Sequence, residues 1–350
     1  MKALQYRAFG DAPTVVEVPR PTPGPGQVLL AVTAAGVCHS DLHIMSASPS
    51  EYRYKPLPLT LGHEAAGIVV STGAGADHFA PGTAVLVYGP WGCGICASCS
   101  RGEENYCTDA RGVQPPGIAV DGAMAEYLLV DAERHLVPLG DLDPVQAVAL
   151  TDAGLTAFHA IKRSMHHLGA GTHAVVIGAG GLGHVAVQIL RAMTAATVIA
   201  VDVASDKLEL ARAVGAHHCV VNGDAAADEL GRVTAGAGAD AVFDFVGSEQ
   251  TVRLAGEVAA TYADIAVVGV GHGALPVGYR RQAFEVSVRS TFWGSRSELW
   301  EVIALARAGR VRVTVETHTL DEAPSAYERL ARGEVLGRAV VVPRETTAQT

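Results

Sequence analysis

Four of the chain's six cysteines fall within fifteen residues, as Cys93-x2-Cys96-x2-Cys99-x7-Cys107. Steps this short let one loop wrap one metal ion without a preformed core, and four thiolates close a tetrahedron around a structural zinc. Cys38 stands apart, in Val37-Cys38-His39-Ser40-Asp41. A catalytic zinc takes fewer protein ligands and keeps an open position, so the split suits one closed site and one open one. Two disulfides are the competing use of the four, and they need an oxidising compartment. The opening residues, MKALQYRAFGDAPTV, hold no basic stretch leading into an apolar run, so no signal peptide is expected. No stretch of about 18 apolar residues lacks charges, so no membrane span is expected either. A cytoplasmic chain with reduced thiols follows. Cys219, in His218-Cys219-Val220-Val221, reads as part of a short buried strand.

With 350 residues the chain exceeds one compact core of ordinary size, and two domains are expected. Hydrophobic residues make up 49% and charged residues 18%, which suits a packed chain rather than a disordered one. The net charge of −10 repels phosphate backbones, so nucleic acid is not an expected partner despite the clustered cysteines.

Residues 1–150 read as short strands broken by Gly and Pro. Pro21-Thr22-Pro23-Gly24-Pro25-Gly26 is a stiff turn, and Val28 to Thr33 is the strand after it. Gly62 to Gly75 and Thr83 to Val87 continue in that style, around a cysteine lobe at 90–112. The texture then changes. Val175 to Gly178 reads as a strand, His184 to Met193 as a helix, Thr197 to Asp202 as a strand and Lys207 to Val214 as a helix ended by Gly215. Further strands are expected at Ala241 to Val246 and Ile265 to Gly269. Strand and helix alternating at this length mean a parallel sheet. A helix over Glu298 to Ala308 and a strand from Ala339 to Val342 return to the first style, so the tail is expected to rejoin the first domain.

Gly178-Ala179-Gly180-Gly181-Leu182-Gly183 follows the first of these strands and opens the helix. In that setting Gly178 permits the tight turn, Gly180 lets backbone approach a pyrophosphate, and Gly183 lets helix and strand pack closely. The helix N-terminus faces the negative charge. Asp202 ends the next strand, where a carboxylate bonds a ribose 2′-hydroxyl. The same carboxylate repels the 2′-phosphate of NADP, and Val203-Ala204-Ser205-Asp206 offers no Arg, so NAD is the expected cofactor. Lys207 is close and basic; it is either a ribose contact or a solvated first-turn lysine.

Cys38-His39-Ser40-Asp41-Leu42-His43 and Gly62-His63-Glu64-Ala65-Ala66-Gly67, with the four-cysteine lobe and the glycine loop, make the chain resemble the zinc-dependent medium-chain alcohol dehydrogenases over essentially its whole length. The resemblance implies an α/β protein: a GroES-like β-rich catalytic domain at 1–153 and 290–350, and a Rossmann NAD-binding domain, a doubly wound parallel sheet, at 154–289. It also implies two zinc ions per chain. The structural one takes Cys93, Cys96, Cys99 and Cys107. In relatives with two Cys and one His at the catalytic zinc, a second thiolate stands near residues 150–155, where this chain has Leu150-Thr151-Asp152. Bacterial secondary-alcohol enzymes carry Asp there. Cys38, His63 and Asp152 are therefore the implied catalytic ligands, with a helix N-cap as the other reading of Asp152. Glu64 is implied as an alternate carboxylate, and Asp41 as the partner of the far nitrogen of His63.

The implied reaction passes the alcohol proton through Ser40, the nicotinamide ribose and His43 to solvent, while hydride moves to the nicotinamide. Arg338 matches a position that contacts the cofactor pyrophosphate, and Phe245, Val246 and Val270 lie at strand ends where the nicotinamide would rest. Trp293 matches an aromatic beside the zinc, with domain-interface packing as its other reading. Tyr52 and Tyr54 would shape the substrate entrance. The Asp152 ligand points to secondary alcohols and ketones, with primary alcohols and aldehydes as further substrates. A polyol or sugar-alcohol dehydrogenase is the rival within the fold; a zinc-free quinone reductase and a non-enzymatic NAD-binding protein are the others. By analogy the chain is expected to form a homodimer or homotetramer.

Overall fold

The structure is a computed structural model and describes residues 1–52, 54 and 57–344. It divides into two compact units, one of residues 1–152, 295–303 and 313–350, the other of residues 153–294 and 304–312. Segment 304–312 thus leaves the first unit within a helix, Arg296–Arg307, that spans both.

Strands of the first unit are β1 (Lys2–Tyr6), β2 (Thr14–Glu17), β3 (Val28–Gly36), β4 (Leu59–Thr60), β5 (Glu64–Thr72), β6 (Ala84–Val87), β7 (Tyr127–Val130) and β8 (Leu136–Pro138). The second unit supplies β9 (His173–Ile177), β10 (Thr197–Asp202), β11 (His218–Val221), β12 (Ala239–Asp244), β13 (Ala259–Val267) and β14 (Ser287–Ser290). The chain returns to the first unit for β15 (Val315–Thr319) and β16 (Arg338–Val342).

In the first unit the main sheet runs β15-β16-β3-β5-β6-β8, with β7 also on β3, beside a smaller sheet β2-β1-β4. The β3 run Val28-Leu29-Leu30 is buried throughout, and Val28 and Leu30 are sealed, with Leu4, Tyr6, Leu59, Leu61 and Val85, in one core. Burying each such Val or Leu stabilises the unit by about 1.5–3 kcal/mol. The register matters for function. Gly36 pairs with Glu64 across β3 and β5, and with Val340 across β3 and β16. That brings the start of β16, Arg338, to the carboxylate of Glu64.

The second unit is a parallel sheet in the order β11-β10-β9-β12-β13-β14. Val175, Ile177, Ile199, Val201 and Val242 fill its core, as strands covered on both faces must be apolar throughout. Strand order reverses between β9 and β12, and in open sheets ligands bind outside the carboxyl ends at that switch. The glycine loop leaves β9 there and Phe245 leaves β12. β13 begins at Ala259, earlier than the expected Ile265, because the pairing with β12 continues past a bulge.

Candidate active site and metal centres

Cys38, His63 and Asp152 converge within the first unit, their ligand atoms all within 4.8 Å of one another and all three residues buried. Cys38 precedes the helix His39–Ser46. His63 follows Gly62, whose φ of +94° suits glycine and where a Cβ would press within 2.8 Å of Met124. Asp152 stands after the short turn Val148–Thr151 and before the helix Ala153–Arg163. Its side chain turns to the other two residues. Bonds of about 2.3 Å to sulfur and about 2.1 Å to nitrogen or oxygen make a tetrahedral ion space S and O ligands about 3.6 Å apart, and N and O ligands about 3.4 Å apart. Cys38 Sγ lies 3.6 Å from Asp152 Oδ2, and His63 Nε2 lies 3.3 Å from the same oxygen. The donor set and its spacing fit a zinc ion.

Anionic groups crowd this point, so it is built for a positive charge. Burial alone would lower the His63 imidazole, but Asp41 and Cys38 beside it outweigh that and raise it well above its ordinary value. The Asp41 carboxylate reaches His63 Nδ1 at 3.1 Å, which leaves Nε2 facing Asp152. Glu64 is fully buried, and burial pushes its carboxyl up to about 7 although Arg338 pulls the other way. Arg338, which the resemblance puts at the cofactor pyrophosphate, is buried against these carboxylates: Nη2 is 2.7 Å from Glu64 Oε1 and 3.7 Å from Asp152 Oδ2. Ser40 Oγ lies 3.6 Å from Cys38 Sγ, and His43 is exposed one turn further along the same helix. Tyr327 escaped the sequence reading. Its hydroxyl donates to Asp41 Oδ2 at 2.8 Å.

The sulfur atoms of Cys93, Cys96, Cys99 and Cys107 form a second group of the same tightness. Cys93 and Cys99 Sγ are 3.9 Å apart, against about 3.8 Å for two thiolates on a tetrahedral zinc. None of the six cysteines is disulfide-bonded. Backbone N–H groups aim at the sulfurs, from Cys93 to Cys107 Sγ and from Cys96 to Cys93 Sγ, each at 3.3 Å. Such donation, from Thr108 and Cys99, lowers the Cys96 thiol to about 5, whereas burial pushes Cys99 up to about 12. The lobe is tied down by Glu104, which accepts from Gly92 N at 2.9 Å and meets His135 Nε2 at 2.8 Å. Trp91 stacks on that imidazole.

In the second unit Gly178 has φ +87°, and a Cβ on Gly183 would collide with the Gly178 carbonyl, whereas one on Gly180 would meet nothing within 4 Å. That open space is where a cofactor phosphate can approach. Gly181 and Leu182 complete the turn into the helix Gly183–Met193. The buried His184, which motif spacing does not single out, holds the turn through Gly180 O at 2.8 Å. Asp202 ends β10 and accepts from Ala179 N at 2.7 Å and Ala204 N at 3.0 Å. Lys207 is partly exposed in the first turn of the next helix. Val246 and Val270 are exposed and Phe245 is half-buried, on two loops bonded through Gly271 N to Val246 O and Gly273 N to Gly247 O.

The residues expected at the substrate stand apart in kind. Tyr52 packs against the core of the first unit, its hydroxyl donating to Ile118 O at 2.8 Å; Tyr54 is exposed beside it. Trp293 belongs to the second unit, is buried with φ +52°, and meets Phe292 edge to face. A third cluster, His166, His167 and Asp264, also has metal-ligand types. There Arg289 already neutralises Asp264 at 2.8 Å and ties it to Ser164 and Ala160, so the cluster reads as an ion-pair network.

A family model of the alcohol dehydrogenase GroES-like domain matches residues 24–141, and one of zinc-binding dehydrogenases matches residues 181–308. An NAD-dependent alcohol dehydrogenase of Sulfurisphaera tokodaii is 36% identical, over 98% of this chain and all of its own. A D-arabinose 1-dehydrogenase (NADP+) of Saccharolobus solfataricus is 31% identical, over 98% of this chain and 97% of its own. The crystal structure of an Aeropyrum pernix alcohol dehydrogenase superposes with a TM-score of 0.92 at 35% identity, over 98% of this chain and all of that one. No helix among the described residues is long and apolar enough to cross a membrane. The chain belongs to the zinc-dependent medium-chain alcohol dehydrogenase family.

Proposed function

We propose that the chain interconverts secondary alcohols and ketones with NAD as hydride acceptor or donor, at a zinc held by Cys38, His63 and Asp152. The observation that carries this reading is the spacing of the three donor atoms, 3.6 and 3.3 Å, in a buried setting that favours positive charge. Two thiolates and an imidazole neutralise both charges of the ion; here a carboxylate takes the second thiolate's place and carries the same charge. Zinc, when bound, acts as a Lewis acid that acidifies an alcohol hydroxyl and polarises a carbonyl.

The protein's residues do the rest. Ser40 sits beside Cys38 and would take the hydroxyl proton while passing its own on. His43, three residues on and therefore on the same helix face, passes it to solvent. Asp41 keeps the His63 ring in one tautomer. Gly178 to Gly183 would hold the pyrophosphate, Asp202 the adenosine ribose with Lys207 beside it, and Phe245, Val246 and Val270 would lie at the nicotinamide. NAD, when bound, would take hydride from the alcohol carbon, so that alcohol and NAD+ would become ketone, NADH and one proton. Arg338 serves the carboxylates of the site. The structural zinc sits in the four-cysteine lobe. We place the enzyme in the cytoplasm as a homodimer or homotetramer.

One relative is named a D-arabinose dehydrogenase, but the relatives named alcohol dehydrogenase do not favour the polyol reading. A panel of 2-butanol, 1-phenylethanol, ethanol, sorbitol and D-arabinose, each with NAD and NADP, separates the two. Highest kcat/KM for a secondary alcohol with NAD supports the proposal. Highest kcat/KM for D-arabinose or sorbitol refutes it.

A further inference from the structure

We propose that Tyr327 is a positioning residue for the catalytic metal: its hydroxyl fixes the Asp41 carboxylate, which in turn fixes both Cys38 and His63. The inference rests on the assignment of Cys38, His63 and Asp152 as ligands. Asp41 is fully buried and divides its two oxygens between the two ligands. Oδ1 meets His63 Nδ1 at 3.1 Å, and Oδ2 accepts from Cys38 N at 3.2 Å. The second contact closes the helix start that carries Cys38. One carboxylate therefore sets the ring of one ligand and the backbone of another.

Tyr327 supplies the shortest bond in this set, 2.8 Å to Oδ2, from the helix Ala323–Ala331. A carboxylate only accepts, so the phenol must donate, and such charge-assisted bonds are about twice as strong as neutral ones. Without it Oδ2 would keep the longer Cys38 contact, and the carboxylate could turn about its own axis. His63 Nδ1 would then lose its acceptor. Partners of this kind are worth about 10–100-fold in metal affinity.

The test uses the zinc-loaded holoenzyme and a chromogenic chelator that follows each zinc as it leaves. Tyr327→Phe keeps the ring and removes only the hydroxyl. It should load two zincs and release one of them at least about ten times faster than the unmodified chain, while the four-cysteine zinc leaves at its usual rate. Because Tyr327 acts through Asp41, Tyr327→Phe should add little to the release rate of Asp41→Asn. Leu330→Ala, on the same helix and in the same core, should lower the thermal midpoint but leave both release rates unchanged. Wild-type release from Tyr327→Phe, an undiminished effect in the Asp41→Asn background, or equal acceleration by Leu330→Ala would each overturn the proposal. An unmodified chain that holds only the four-cysteine zinc would instead remove the ligand assignment, and this inference with it.

Discussion

Arg338 grips Glu64 with two nitrogens, Nη2 to Oε1 at 2.7 Å and Nε to Oε2 at 3.0 Å, and both side chains are sealed from solvent. The pair is separated by 274 residues in sequence and sits beside Asp152. Gly36 makes room for it, since a Cβ there would strike the Glu64 carboxylate. A buried charge left without its partner destabilises a protein by about 3–5 kcal/mol. Arg338→Met should therefore lower the thermal midpoint sharply, and adding Glu64→Gln should restore much of the loss. Calorimetry of the two variants decides. Equal midpoints for Arg338→Met and the unmodified chain would show that the pair holds nothing together.

The glycine loop gives a contrast between two neighbouring substitutions. Gly183→Ala forces a methyl into the Gly178 carbonyl, and overpacking of this kind costs about 1–3 kcal/mol or more. Gly180→Ala meets nothing in the protein, so it should fold normally and obstruct only the pyrophosphate. Thermal unfolding should single out Gly183→Ala. NAD titration calorimetry should show weakening of about ten-fold or more for Gly180→Ala.

Cofactor choice turns on Asp202. Its carboxylate is braced by two backbone N–H groups, from Ala179 and Ala204. Asp202→Asn keeps one acceptor oxygen and removes the charge that repels a 2′-phosphate. The ratio of kcat/KM for NAD to that for NADP should fall by about ten-fold or more, as expected for loss of one ribose carboxylate. Steady-state kinetics with both cofactors measures it.

Asp244 ends β12 in a buried position and accepts from Val246 N and Gly247 N, each at 2.9 Å. Burial raises its carboxyl above the ordinary 3.8, against the pull of those N–H groups and Thr251. A carboxyl raised in the folded state stabilises it fully only below its unfolded value, and the contribution is lost as pH rises through the folded value. Asp244→Asn removes this dependence while an amide oxygen can still accept. As pH rises above about 4, the thermal midpoint of the Asn variant should gain on that of the unmodified chain. A difference that is constant across the range would contradict the shift.

The parts of the site that sequence revealed are those whose members lie close in the chain. The four-cysteine lobe is one loop, and Gly178 to Gly183 is one turn between a strand and a helix. Cys38 and His63 were visible as short motifs, and Asp152 only through likeness to a family. The groups that hold these residues were not visible. Tyr327 reaches Asp41 across 286 residues, and Arg338 reaches Glu64 through pairing of β16 with β3 and of β3 with β5. No local spacing encodes such contacts, because strand register between distant segments creates them. Arg338 was assigned by family position to the cofactor, while its burial depends on that register. Tyr52 illustrates a different gap. Its loop position reads as part of a substrate entrance and gives no sign that its ring packs at the edge of a core with its hydroxyl on Ile118 O.

The most direct test of the account is zinc content per chain in the unmodified protein and in Asp152→Ala, measured with NAD reduction by a secondary alcohol on the same samples. A ligand lost from an open three-residue site should release that ion and leave the closed four-cysteine ion in place. The unmodified chain should hold two zincs and be active, and the variant should hold one zinc with kcat/KM lower by more than about 100-fold. Two zincs and near-normal turnover in Asp152→Ala would contradict it.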